Sequence, residues 1–125
     1  AASDVYKRQV VTAIGNHDES TAFPVNPVAA ALIIADKTDV RRSRVRNRSH
    51  AQFDIHDRVN YAVTDSKLKV DEKKSEIALN LQIDEKICSM YDYFEIFLER
   101  MMLCRKAAEI LGTTFKLTVN GRKVL

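Results

Sequence analysis

One histidine, four acids and five arginines gather within residues 14–48, which read IGNHDESTAFPVNPVAAALIIADKTDVRRSRVRNR. His17 and Asp36 are of the types that ligate divalent ions, an imidazole nitrogen and a carboxylate oxygen. Asp18 and Glu19 can exchange protons or orient a ligand, and acids here equally suit the positive end of a helix. Arg41, Arg42, Arg44, Arg46 and Arg48 carry guanidinium forks that match phosphate oxygens two at a time. Lys37 adds a point charge beside Asp36.

Positioning falls to the elements between them. Asn26 is a good N-cap, and Pro27 fits the first helical position because its missing N–H would be unpaired there anyway. Residues 28–35 are all apolar. A helix apolar all round is expected to be buried all round. Asp36 then falls at the end of a buried surface, where a lone carboxylate is costly and needs a cation, a metal or several donors. Pro24 and Pro27 help turn the chain back, so that a helix pair can bring His17 to Asp36. The helix is expected to run on to about residue 46. On it Arg41, Arg44 and Arg48 form one stripe, and Arg42 and Arg46 another.

These residues carry a resemblance. Ile14-Gly-Asn-His17-Asp-Glu, Phe23-Pro24 and Ala35-Asp36-Lys-Thr-Asp39 are similar to the C-terminal half of the HD superfamily of metal-dependent phosphohydrolases. The likeness covers nearly everything after Gln9. Asp36 matches the family's late metal-binding aspartate. His17 matches a further histidine found in some branches. The branch with a glycine-tyrosine-proline loop differs from this chain, which has Asp18 for a second histidine, a shorter loop and Phe23 for the tyrosine. Cyclic-dinucleotide hydrolysis is therefore not implied. The fuller likeness is to small bacterial HD-domain proteins with an appended α/β tail. It implies one or two divalent ions (Mn, Fe, Mg or Zn), held in part by His17 and Asp36. It also implies Lys37, Arg41 and Arg44 on the side of a phosphorylated small molecule or nucleotide. The early histidine and the His-Asp dyad of the family are expected upstream. Residues 1–9, AASDVYKRQ, resemble a leader translated from a sequencing adapter and are read as non-native.

The chain has 125 residues, 46% hydrophobic and 30% charged, an ordinary globular balance for one domain or slightly more. A net charge of +3 is too mild to imply nucleic acid by itself. No apolar run approaches the ~20 residues of a membrane span. Cys88 and Cys104, if on one helix, lie roughly 24 Å apart, which excludes a disulfide between them. A reducing cytoplasm is the simplest setting.

After residue 60 the hydrophobic period changes. Residues 66–71 and 77–84 alternate, with Leu68 and Val70, then Ile77, Leu79, Leu81 and Ile83, expected inward; residues 71–75 make the turn. Residues 87–111 repeat at three- and four-residue steps, as a long helix does, and Gly112 is placed to end it. Residues 113–120 form a third strand. Asn120 and Gly121 signal a hairpin, with Val124 and Leu125 starting a fourth. The fold expected is α+β: a helical remnant of an HD domain over residues 10–60, then a ββαβ unit over 61–125, with an antiparallel sheet and one long helix.

Each candidate also has a structural reading. Asp36 can simply accept hydrogen bonds, and Asp39 can hold Lys37 or Arg42. His56 and Asp57 spell the family's dyad, but they lie in a polar connector and are read as a decoy. Tyr91, Tyr93, Phe94 and Phe97 read as core, as do Met101, Met102 and Cys104. The reading favoured is a truncated phosphohydrolase, inactive as it stands. The alternative is a non-catalytic module whose arginines bind an anionic ligand or nucleic acid, with the tail making a homodimer. A third reading leaves the arginines merely solvated.

Overall fold

The computed structural model describes residues 2–15, 24–40 and 55–125. Helix α1 spans Ala2–Gly15 and crosses the expected boundary at residue 9 without a break. Its apolar side chains Val5, Tyr6, Val10, Val11 and Ile14 are exposed, while Ala13 is buried.

Helix α2 spans Pro27–Thr38. Asn26 caps it: its Oδ1 accepts the Ala29 N–H at 2.8 Å, and Pro27 opens the first turn. Its buried residues Ala29, Ala30, Ile33, Ile34, Lys37 and Thr38 follow helical spacing and pack on the long helix of the tail. Burial is not all round, because Ala31 and Ala35 are exposed on the opposite face. The helix also stops earlier than expected, at Thr38 rather than near residue 46. Asp39 leaves helical geometry at φ −81° and ψ 79°. The Val40 N–H turns back to the Thr38 carbonyl at 3.0 Å, and the Val40 side chain is fully buried. Val40 goes into the core, and α2 ends before it.

The connector expected over residues 53–61, one helical turn and an extended piece, is helix throughout its described part: α3, Ile55–Ala62, leads directly into strand β1, Val63–Asp71. A tight turn joins β1 to β2, Glu76–Ile83, with Ser75 in the left-handed region. The Asp71 carboxylate accepts the Lys74 N–H within that turn. Helix α4, Met90–Ile110, follows a Ser89 N-cap whose Oγ accepts from Asp92 N. Gly112, at φ +69°, supplies the left-handed residue that lets the chain leave this helix. Strand β3 is Thr114–Val119. The short β4 is Arg122–Lys123, a little before the expected position. Asn120 and Gly121 both have positive φ, as a two-residue hairpin loop requires.

The α+β class holds, and the sheet order is β1-β2-β3-β4. The sheet is mixed rather than antiparallel: β1 pairs antiparallel with β2, β2 parallel with β3, and β3 antiparallel with β4. The cause is α4. A helix lying between two neighbouring strands carries the chain back to its starting end, so the second strand runs parallel to the first. One cluster of buried side chains runs through α2, α3, the sheet and α4. It includes Ile33, Val59, Leu79, Leu81, Tyr93, Phe97, Leu117 and Val119.

Alternation holds where the sheet faces the buried cluster. Ile77, Leu79, Leu81 and Ile83 are buried on β2, and Phe115, Leu117 and Val119 on β3. It fails on β1, where Leu68 and Val70 are 44% and 61% exposed.

Candidate functional site

The candidate site lies at the end of α2. Asp36 and Lys37 form an ion pair there, Nζ to Oδ2 at 2.8 Å. Adjacent helical residues do not normally face each other, so the Lys37 side chain must fold back along the last turn to reach Asp36. Lys37 is only 7% exposed. A buried ammonium is tolerated because a carboxylate meets it, and because the negative end of a helix favours a cation. Asp36 has the opposite relation to that helix end, and Lys37 offsets it. The Asp36 side chain stays 31% exposed, so the pair presents its acid outward and its base inward.

The rest of the turn is tied down by local bonds. Thr38 Oγ1 donates to the Ile34 carbonyl at 2.6 Å, and Asp39 N–H donates to the Asp36 carbonyl at 3.3 Å. Across from the pair stands Cys104 of α4. Burial pushes its thiol up to about 12, against a lowering by the charges of Lys37 and Arg100 and a further raising by Asp36. Cys88, also buried, is raised by burial first and then by Asp92. Neither thiol is in a disulfide. Both are therefore held protonated and unreactive near neutral pH.

Of the expected site residues the structure brings together Asp36 and Lys37. His17, Arg41 and Arg44, together with Arg42, Arg46 and Arg48, lie outside the described residues, so the expected approach of His17 to Asp36 does too. Lys37, expected on the phosphate side, directs its ammonium at Asp36. Among the described residues no three His, Cys, Asp or Glu side chains converge as a metal-binding group. The described donors fit a single metal contact through Asp36 and do not enclose an ion by themselves. Asp57 of the suspected decoy lies in the first turn of α3, where an acid is favoured by the helix dipole alone.

Sequence reasoning missed two features. The Asn120 side chain joins β3 to the end of β2: Oδ1 accepts the Ile83 N–H at 2.7 Å, and Nδ2 donates to the Ile83 carbonyl at 3.1 Å. The Asn-Gly signal pointed to the turn but not to this long-range pair. The Tyr93 hydroxyl is buried with no hydrogen-bond partner among the described residues, and burial raises its pKa. Tyrosine and phenylalanine read alike in a hydrophobic stripe, so spacing held no signal for it. Arg100 stacks on the Phe97 ring at 4.4 Å, at the favourable three-residue spacing.

No protein-family model, no curated protein and no solved structure matches this chain. Among the described residues no helix is long and apolar enough to cross a membrane.

Proposed function

We propose that this chain is the C-terminal part of an HD-type, metal-dependent phosphohydrolase acting on a phosphate ester in a phosphorylated small molecule or nucleotide. The observation that carries the reading is the Asp36 carboxylate. It sits at the end of a packed helix, is held at 2.8 Å by a buried ammonium, and still reaches solvent. That is the placement a ligand aspartate needs: fixed, charged and accessible. The ADKTD string around it supports the same reading, and His17 is the second donor it names. A divalent ion bound there would supply an activated water and stabilise charge on the phosphate. Lys37 contributes by fixing Asp36. Arg41 and Arg44 are the proposed phosphate contacts. Two free, buried cysteines suit a cytoplasmic setting.

The reading expects the 125-residue chain alone to show no turnover of p-nitrophenyl phosphate with manganese, iron, magnesium or zinc, because two donors do not close a catalytic site. It expects a histidine and a His-Asp dyad in the coding sequence upstream. The protein extended by that sequence should bind a divalent ion and hydrolyse the ester. The double variant Asp36→Asn/Lys37→Met removes the ligand without leaving a buried charge, and should abolish both. An upstream sequence without those donors, or full activity in the double variant, overturns the reading.

A further inference from the structure

Among the described residues strand β1 lies at the edge of the sheet and pairs with β2. Leu68 lies opposite Leu79 and Val70 opposite Ile77, so both point to the face of the sheet that is buried in the core on β2. On β1 both side chains are exposed. The solvent face of the strand carries Asp65, Lys67, Lys69 and Asp71, with Lys67 and Asp65 in a loose ion pair at 3.7 Å.

We propose that β1 is the dimer edge of this protein. Two copies pair β1 antiparallel about a two-fold axis through Lys69, and the two sheets become one. The occupant follows from the charge and apolar pattern of the strand. An axis perpendicular to the sheet keeps the apolar face continuous, and it requires one residue to lie opposite itself. Centred on Lys69, Leu68 meets the partner's Val70 and Val70 the partner's Leu68. Lys67 meets the partner's Asp71, twice by symmetry. The single like-charge contact is Lys69 with itself, on the solvent face, where long side chains diverge. Other centres fit worse. Through Leu68, Lys67 meets Lys69 and Asp65 meets Asp71. Through Lys67, Leu68 meets Ser66. Through Val70, Leu68 meets Glu72 of the turn. A second copy of this chain thus sets each apolar side chain beside an apolar partner and pairs the charges.

The register makes a covalent test. Opposed residues of an antiparallel pair have Cα atoms about 4.5–5.5 Å apart, within disulfide reach. In the full 125-residue chain, Lys69→Cys should cross-link to itself in oxidised glutathione, and Lys67→Cys should not. The native cysteines are buried and do not compete. Sedimentation velocity across about 1–200 μM should show a monomer–dimer equilibrium. Val70→Lys should leave only monomer, with the circular dichroism spectrum unchanged and the Tm equal to that of the wild type at the lowest concentration, where the wild type is monomeric, because position 70 is exposed. A wild-type monomer at every concentration would mean that Lys67 and Lys69 guard the edge against pairing, and overturns the proposal. So does a dimer that survives Val70→Lys, or a stronger cross-link from Lys67→Cys than from Lys69→Cys.

Discussion

Lys37 takes its charge into the packed side of α2, while Asp36 keeps part of its carboxylate in water. The two are therefore unequal in energetic terms. Asp36→Asn strips the buried ammonium of its nearest carboxylate and should cost about 1–3 kcal/mol in urea denaturation at pH 7. Lys37→Met leaves an acid that water can still solvate, and should cost about 1 kcal/mol or less. The reverse order would show that Asp36 is the buried member of the pair in solution. Cys104 gives a pH signature. Its thiol ordinarily titrates near 9.0, and burial lifts it to about 12 in the folded chain. Between those values the folded state keeps a proton that the unfolded chain has lost. This contribution is therefore complete below pH about 9 and declines as the pH rises towards 12. Cys88 and Tyr93, both raised, act in the same direction. Cys104→Ala should flatten the fall of Tm between about pH 9 and about pH 11. Asn120→Gly keeps a turn-compatible backbone but leaves the N–H and carbonyl of Ile83 without their side-chain partner. It should cost about 1–3 kcal/mol.

Helix boundaries and strand coverage separate what the sequence makes legible from what it does not. The start of α2 is legible because Asn26 and Pro27 act locally, through one hydrogen bond and one fixed φ. Asn26→Ala should cost about 1 kcal/mol, measured by chemical denaturation. Its end is not, because Val40 leaves the helix for a core assembled from distant parts of the chain. The stripes drawn for the arginines assumed that α2 continued to about residue 46; α2 itself stops at Thr38, and the arginines lie outside the described residues. On the sheet, alternation gives the correct inward face for β2 and β3. It cannot say how far one helix reaches across four strands, so Leu68 and Val70 read the same as Leu79. Leu79→Ala should cost about 2–5 kcal/mol and Leu68→Ala well under 1 kcal/mol in the monomer, a contrast that urea titration resolves. The parallel β2–β3 pair was legible in principle, since a strand, a long helix and a strand in sequence favour it.

At the scale of the molecule, one buried cluster takes side chains from α2, α3, the sheet and α4 together. Far-ultraviolet circular dichroism and tyrosine fluorescence should therefore report one coincident unfolding transition. Two separated transitions would instead divide the chain near residue 60. Asp36 was legible as a candidate because its neighbours in sequence are distinctive. Its pairing with Lys37 and the facing Cys104 were not, because packing of α2 on α4 decides them.

The placement of β3 beside β2 has a consequence for how the chain is made. The ribosome delivers β2, with Ile77, Leu79 and Leu81, and then all of α4, before the strand that completes the sheet on that side. The β1–β2 hairpin and α4 can form from local contacts, whereas β3 has to return to β2 across the whole helix. Until it does, the nascent chain exposes an apolar strand with an open edge, the state most open to aggregation and to capture by chaperones.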